Sequence, residues 1–256
     1  MQNKYPLLKQ INNDAFKSLN ISNKLVIAGP CAVENYESLL NEAKFLLENN
    51  ISYLRAGAYK PRTSVHDFQG LGYEGIEILK KVKNETGIKI VTEIPDASHI
   101  DEFDFVDIIQ VGARNMQNFS LLKALGSTNK PIILKRGFGN TIDEWLCAAE
   151  YIVSEGNPNV ILCERGIKTF ETATRNTLDI SSIAIIKEFL NIPVIADPSH
   201  SAGRTDIILP LSKASLAAGA DGLIIEVHPD PSKSYSDSFQ ALDYDSFKNL
   251  LSQLKL

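Results

Sequence analysis

The chain has 256 residues, 44% of them hydrophobic and 22% charged, with a formal net charge of −5. That balance is ordinary for a globular protein and excludes a global attraction to nucleic acid or to an anionic membrane, so any anion site must be local. Its three cysteines, Cys31, Cys147 and Cys163, are too few and too scattered for a disulfide framework, and no C-x-x-C spacing suggests a zinc knuckle.

The N-terminal segment MQNKYPLLKQINNDAFKSLN has no long apolar stretch, and no later segment offers the roughly 18 uninterrupted apolar residues that a membrane span needs. A cytoplasmic protein is therefore expected. Residues 1–23 read as a short extension and residues 24–256 as one domain, with no linker or low-complexity tract between.

From residue 24 onward, short runs rich in Val, Ile and Leu recur. They are KLVIAG (24–29), ISYLRAG (51–57), IKIVTE (88–93), VDIIQVG (106–112), PIILKRG (131–137), NVILCERG (159–166), IPVIADP (192–198) and DGLIIEVH (221–228). Each is followed by a turn and a longer stretch of helical periodicity, such as YESLLNEAKFLLENN, TIDEWLCAAEYIVSEG or TDIILPLSKASLAAGA. Glu144 stands three residues after Thr141 and predicts a capping box there. Near-continuous apolar strands alternating with amphipathic helices imply a parallel sheet covered by helices, and eight such units match a TIM (β/α)8 barrel. An open doubly wound sheet has less support, because no G-x-G-x-x-G follows the first strand.

In such a barrel the active site lies at the C-terminal ends of the strands. Those ends carry Arg55, Lys60, Arg62, Arg114, Lys135, Arg136 and Arg165, together with Cys31, Glu93, Asp197, His200 and Glu226. Clustered cations repel one another unless an anion joins them, and Arg forks suit phosphate and carboxylate. The set points to phosphorylated, carboxylated substrates. Any single member is equally well read as a surface cation with an acidic neighbour. Cys31, His200, Glu226 and Asp237 offer a thiolate, an imidazole and two carboxylates, a mixed donor set that suits one divalent ion among manganese, iron, cobalt and zinc. From spacing alone Cys31 reads more readily as a small buried residue and His200 as a hydrogen-bonded structural one, with His66 and His228 as rival ligands. Cys147, on the apolar face of a helix, and Cys163, inside a strand, are expected in the core. Glu34, Glu93 and Asp197 are candidate acid or base groups, or carboxylates that orient the cations.

Taken in order, AGPCAVE, LRAGAYKPRTS, FQGLG, QVGARNMQN, ILKRG, LCERG, DPSHSAGR and EVHPDP followed by SD resemble the type I-beta 3-deoxy-D-arabino-heptulosonate 7-phosphate (DAHP) synthases. The resemblance runs from about residue 24 to the C-terminus. It implies a metal-dependent, aldol-like condensation of phosphoenolpyruvate with erythrose 4-phosphate that releases phosphate, the first step of the shikimate pathway to chorismate and the aromatic amino acids. By the family pattern Cys31, His200, Glu226 and Asp237 hold the metal. Ala113, Arg114, Lys135 and Arg165 bind phosphoenolpyruvate with Arg55 close by, and Lys60, Pro61, Arg62 and Thr63 hold the sugar phosphate. Lys135, Glu93, His200 and Lys60 are the candidate catalytic groups.

A Schiff-base aldolase acting through Lys135 would leave the four candidate ligands without a joint purpose. 3-Deoxy-D-manno-octulosonate 8-phosphate synthase, which takes arabinose 5-phosphate, is the nearer rival. Its loop reads more like KANRT, whereas KPRTS here favours the four-carbon sugar. A non-catalytic sugar-phosphate-binding barrel is the remaining alternative, and it predicts a lost ligand or cation where every motif position is kept. The resemblance also implies a homotetramer or homodimer. Many type I-beta relatives carry a fused regulatory domain for which 23 residues leave no room, so weak or absent inhibition by tyrosine, phenylalanine, chorismate or prephenate is expected.

Overall fold

The computed structural model describes residues 4–62 and 64–255. Eight parallel strands close on one another in chain order: β1 (Leu25–Gly29), β2 (Tyr53–Arg55), β3 (Lys89–Glu93), β4 (Ile108–Val111), β5 (Ile132–Lys135), β6 (Val160–Glu164), β7 (Val194–Ala196) and β8 (Gly222–Glu226). Pairing of Ile27 with Ile224 and of Gly29 with Glu226 closes β1 on β8. The helices are α1 (Asp14–Ser18), α2 (Tyr36–Glu48), α3 (Tyr73–Thr86), α4 (Phe119–Gly126), α5 (Ile142–Ser154), α6 (Ile180–Phe189), α7 (Pro198–Ala202), α8 (Ile208–Ala217) and α9 (Tyr244–Leu254). The chain is thus the expected TIM barrel. Among the described residues no helix is long and apolar enough to cross a membrane.

The period of two along each strand divides the buried residues into two cores. Ile27, Tyr53, Val91, Ile108, Ile133, Ile161, Cys163, Ile195 and Ile224 point into the barrel and form one cluster. Their neighbours, among them Val26, Leu54, Ile90, Ile109, Leu134, Leu162 and Leu223, face the helices and form the other. Both faces are covered, which is why the strand sequences are apolar without alternation. Ala15 and Phe16 of α1 join the inner cluster, so α1 stops the lower end of the barrel.

Two expectations change. Between β3 and β4 no α-helix forms; Ala97–Phe103 is a 3-10 helix capped by Asp96, because PDASHIDEFDF is short and carries few apolar positions at helical spacing. Cys147 is exposed, unlike Cys31 and Cys163. Helix α5 buries Trp145, Leu146, Ala148, Ala149 and Ile152, and position 147 falls on the opposite side. The capping box at its start is present, with Thr141 and Glu144 bonded reciprocally. One rapidly reacting thiol is therefore expected with a bulky disulfide reagent on the native protein, and Cys147→Ala abolishes that phase; a fast phase that survives the substitution contradicts this placement.

Glu42 of α2 is 1% exposed, and neither carboxylate oxygen has a hydrogen-bond partner among the described residues. Burial pushes its pKa well above the ordinary carboxylate value, with Arg55 only partly opposing. The native state therefore keeps a proton that the unfolded chain releases above about pH 4.3, and stability falls as pH rises from there toward the folded-state value, by at most about 1.4 kcal/mol per unit. Glu42→Gln removes that slope. Urea unfolding should show the variant gaining on the parent as pH rises above about 5, and a difference independent of pH contradicts a neutral Glu42.

Candidate active site

Continuing the inward parity of each strand by two residues leads from the barrel interior to its upper mouth. Ile27 leads through Gly29 to Cys31, Tyr53 to Arg55, Val91 to Glu93, Ile133 to Lys135, Cys163 to Arg165, Ile195 to Asp197 and Ile224 to Glu226. The polar groups thus stand on the rigid ends of the same rows that fill the core. Lys60, Pro61, Arg62, Glu93, Ala113, Arg114, Lys135, Arg165, His200 and Asp237 all line one cleft there. Thr63 lies outside the described residues. Gly112 also lines the cleft, and a side chain there would begin 2.1 Å from Oε1 of Glu93.

Arg136 has the opposite parity to Lys135 and does not reach the mouth. Its Nη1 instead bonds Glu164 at 2.9 Å and Asp179 at 2.8 Å behind the sheet. It is a structural cation, which corrects its grouping with the site. The rival ligands also fall away: His228 Nε2 lies 3.3 Å from Glu34 Oε2, and His66 is exposed. Glu34 further accepts from the amide of Tyr235 at 2.7 Å, so its carboxylate ties down the connection after β8 rather than facing the cleft.

At the floor, ligand atoms of Cys31, His200, Glu226 and Asp237 all lie within 4.8 Å of one another. Cys31 Sγ is 2.9 Å from Asp237 Oδ2, and His200 Nε2 is 3.3 Å from Glu226 Oε1. Asp197 Oδ2 stands 2.8 Å from Nδ1 of His200 and leaves Nε2 directed at the other three residues. Burial lowers the His200 pKa and keeps its imidazole neutral, as a ligand must be. Burial opposes ionisation of Glu226, but His200 and Arg55 outweigh it and hold the carboxyl below its ordinary range. Asp197 is held well below that range: burial opposes, and His200 and Lys135 prevail. Burial and then Glu226 push the Cys31 thiol up to about 12, while the ammonium of Lys60, 2.8 Å from Sγ, opposes them. A thiol that gives up its proton on binding, a neutral imidazole and two ionised carboxylates at this spacing fit a divalent metal ion.

The cations divide around this floor. Arg55 is buried and bonds Glu226 Oε1 at 3.1 Å. Lys135 Nζ bonds Asp197 Oδ2 at 2.6 Å. Arg62 donates to Ser236 Oγ at 2.8 Å and lies 3.6 Å from Asp237 Oδ2. Arg165 is buried, with its guanidinium 4.6 Å from the ring centre of Phe138 and Nη2 bonded to the carbonyl of His200 at 3.2 Å. Arg114 and Lys168 lie 5.3 and 5.8 Å from the same ring. The Phe138 face thus draws three cations together. Phe138, Arg175 and Gln240 escape the sequence reading, because each sits in a connection without periodicity; only the position of Phe138 just after ILKRG gave a hint.

A larger cleft of about 860 Å³ opens at the lower end of the barrel beside Asn13, Lys24, Tyr53 and Lys255. It contains no cysteine or histidine and lies opposite the converging ligands, so its size does not make it the reaction site.

A closed barrel whose upper mouth gathers cations over a thiol, imidazole and carboxylate quartet is an arrangement suited to anionic ligands beside a metal ion. The sequence model of the DAHP synthetase I family matches residues 18–255. The chain belongs to that family. A phospho-2-dehydro-3-deoxyheptonate aldolase of Thermotoga maritima is 53% identical over 231 residues, which are 90% of this chain and 68% of that protein. A 2-dehydro-3-deoxyphosphooctonate aldolase of Syntrophotalea carbinolica is 34% identical, covering 90% of this chain and 88% of the relative. The crystal structure of the Thermotoga maritima DAHP synthase superposes with a TM-score of 0.88 at 52% identity, over 91% of this chain and 68% of that one.

Proposed function

We propose that this chain joins phosphoenolpyruvate to erythrose 4-phosphate to give 3-deoxy-D-arabino-heptulosonate 7-phosphate and inorganic phosphate. The observation that carries the reading is the cleft itself: Lys60, Arg62, Arg114, Lys135 and Arg165 line one wall system above Cys31, His200, Glu226 and Asp237. Two substrates that each carry phosphate repel one another in water, and a cationic cleft offsets that repulsion while it aligns them.

Arg114, Lys135 and Arg165 bind the carboxylate and phosphate of phosphoenolpyruvate, with Arg55 beneath them. Lys60, Pro61 and Arg62 hold the sugar phosphate, and Thr63 is assigned with them on sequence alone. Cys31, His200, Glu226 and Asp237 would hold a divalent ion, and such an ion would supply Lewis acidity toward the aldehyde of the sugar. The new bond joins carbon 3 of phosphoenolpyruvate to the aldehyde carbon, and electron demand then falls on carbon 2. Water adds at carbon 2 and gives a proton to a neighbouring base, while the former aldehyde oxygen takes one up as the new hydroxyl. The bond from carbon 2 to the phosphate oxygen then breaks, leaving the ketone and inorganic phosphate. Glu93 serves as that base; it lines the cleft, with its Oε2 accepting from Gln110 at 2.9 Å, which supports the reading. Lys135, held by Asp197, stabilises the oxygens that carry charge as phosphate leaves. His200 acts through its place among the ligands.

Purified protein given phosphoenolpyruvate should release phosphate faster with erythrose 4-phosphate than with arabinose 5-phosphate. Preference for the five-carbon sugar overturns the substrate assignment and leaves the chemistry standing; no release with either sugar, whatever divalent ion is supplied, overturns both.

A further inference from the structure

Of the four residues at the floor, Asp237 has the least local support. Glu226 ends a strand, His200 lies in α7, and Cys31 precedes the bridge of Ala32 to Gly57. Asp237 lies in the irregular connection between β8 and α9, with φ 57°, a left-handed conformation that a residue with a side chain keeps only when its surroundings hold it.

Cys31 and Arg62 meet its Oδ2, and Arg175, from the connection between β6 and α6, holds the other oxygen. Its Nη1 donates to Asp237 Oδ1 at 3.1 Å and to Gln240 Oε1 at 2.9 Å. The amide of Gln240, itself 2% exposed, donates onward to Oε2 of Glu226. One guanidinium nitrogen and one amide therefore bridge the two carboxylates among the four ligands. The backbone of Arg175 is also anchored to the helix of a third: its amide donates to the carbonyl of Ala202 at 3.0 Å, and the next amide, of Asn176, donates to Ser201 at 2.8 Å. Gly203 makes room for this contact, since a Cβ there would stand 2.5 Å from Cβ of Arg175.

We infer that Arg175 is a positioning residue for the divalent ion, setting the spacing of Asp237, Glu226 and His200 through Gln240 and α7. The inference rests on the four-ligand reading of the site. Outer groups that orient ligands of this kind typically change metal affinity by about 10–100-fold when removed. Charge alone predicts the opposite sign: taking a cation away from a ligand carboxylate favours an incoming metal ion. The direction of the change thus separates positioning from plain repulsion.

The test is titration of chelator-treated, dialysed protein with Mn²⁺, free ion being counted by electron paramagnetic resonance. One ion per chain is expected for the parent. Arg175→Gln and Arg175→Lys should both weaken binding by about 10–100-fold, because Lys keeps the charge and loses the reach. Gln240→Leu should weaken it as well, and the double variant should lose less than the two single losses combined, as members of one network do. The unfolding midpoint of the ion-free variants should stay near that of the parent, since Arg175 lies at the surface end of the network. Variants that bind Mn²⁺ as tightly as the parent or more tightly, while the parent binds one ion, overturn the inference alone. A parent that takes up no Mn²⁺ overturns the four-ligand site and the role of Arg175 with it.

Discussion

Asp197→Ala is expected to cost about 3–5 kcal/mol of stability, read from the urea unfolding midpoint, and to abolish phosphate release. The side chain is fully buried, and three interactions meet on it. Oδ2 takes Lys135 Nζ at 2.6 Å and lies 2.8 Å from His200 Nδ1, while Oδ1 caps α7 by accepting from the amide of His200 at 3.0 Å. Removing the carboxylate leaves the Lys135 ammonium without its partner at 5% exposure, and an unpaired buried charge costs far more than the pair contributes. The cap adds about 1 kcal/mol. Asp197→Asn keeps the shape and the cap acceptor, so it should lose less stability than Ala but nearly as much activity, because Lys135 and His200 both lose a charged neighbour. A stability change below about 1 kcal/mol for the Ala variant would show that Lys135 has another partner and that the network is misread.

The second large effect concerns Arg165. Arg165→Ala should reduce kcat/KM for phosphoenolpyruvate by about 10²–10³-fold, the loss typical of one well-placed group that meets developing charge. Arg165→Lys should recover little, because the planar fork both faces Phe138 and reaches the carbonyl of His200. The control is its near neighbour in kind: Arg136→Ala strips a buried cation from Glu164 and Asp179 on the outer face of the barrel. That variant should lose stability while the protein that remains folded keeps its KM for phosphoenolpyruvate. If the Arg136 variant showed the larger rise in KM, the assignment of inner and outer faces would be wrong.

That contrast also marks what could be read from the sequence. The eight strands were legible because each is covered on both faces and so is apolar throughout, a pattern that needs no tertiary knowledge. The same continuity hid which residues point inward. Lys135 and Arg136 look alike in ILKRG, and only the register of β5 against β6, with Lys135 opposite Cys163, sends one into the mouth and the other behind the sheet. Cys147 departs from its expected place for a related reason: in a helix with small residues on two sides, the choice of apolar face depends on which side meets the sheet. The ligand quartet was recognisable by resemblance, since its members lie up to 206 positions apart, from Cys31 to Asp237, and only closure of the barrel brings them together. Arg175 and Gln240 had no signal of that sort, because side-chain bridges between two irregular connections leave no period in the sequence.

The most direct test of the account is phosphate release from phosphoenolpyruvate and erythrose 4-phosphate by protein stripped with a chelator, before and after Mn²⁺ is restored, alongside Cys31→Ala. The account predicts no release from the stripped protein, recovery on addition of Mn²⁺, and equimolar heptulosonate phosphate in the product. It also predicts that Cys31→Ala recovers little at the same Mn²⁺ concentration. Full activity in the stripped protein, or in Cys31→Ala without added ion, would contradict it.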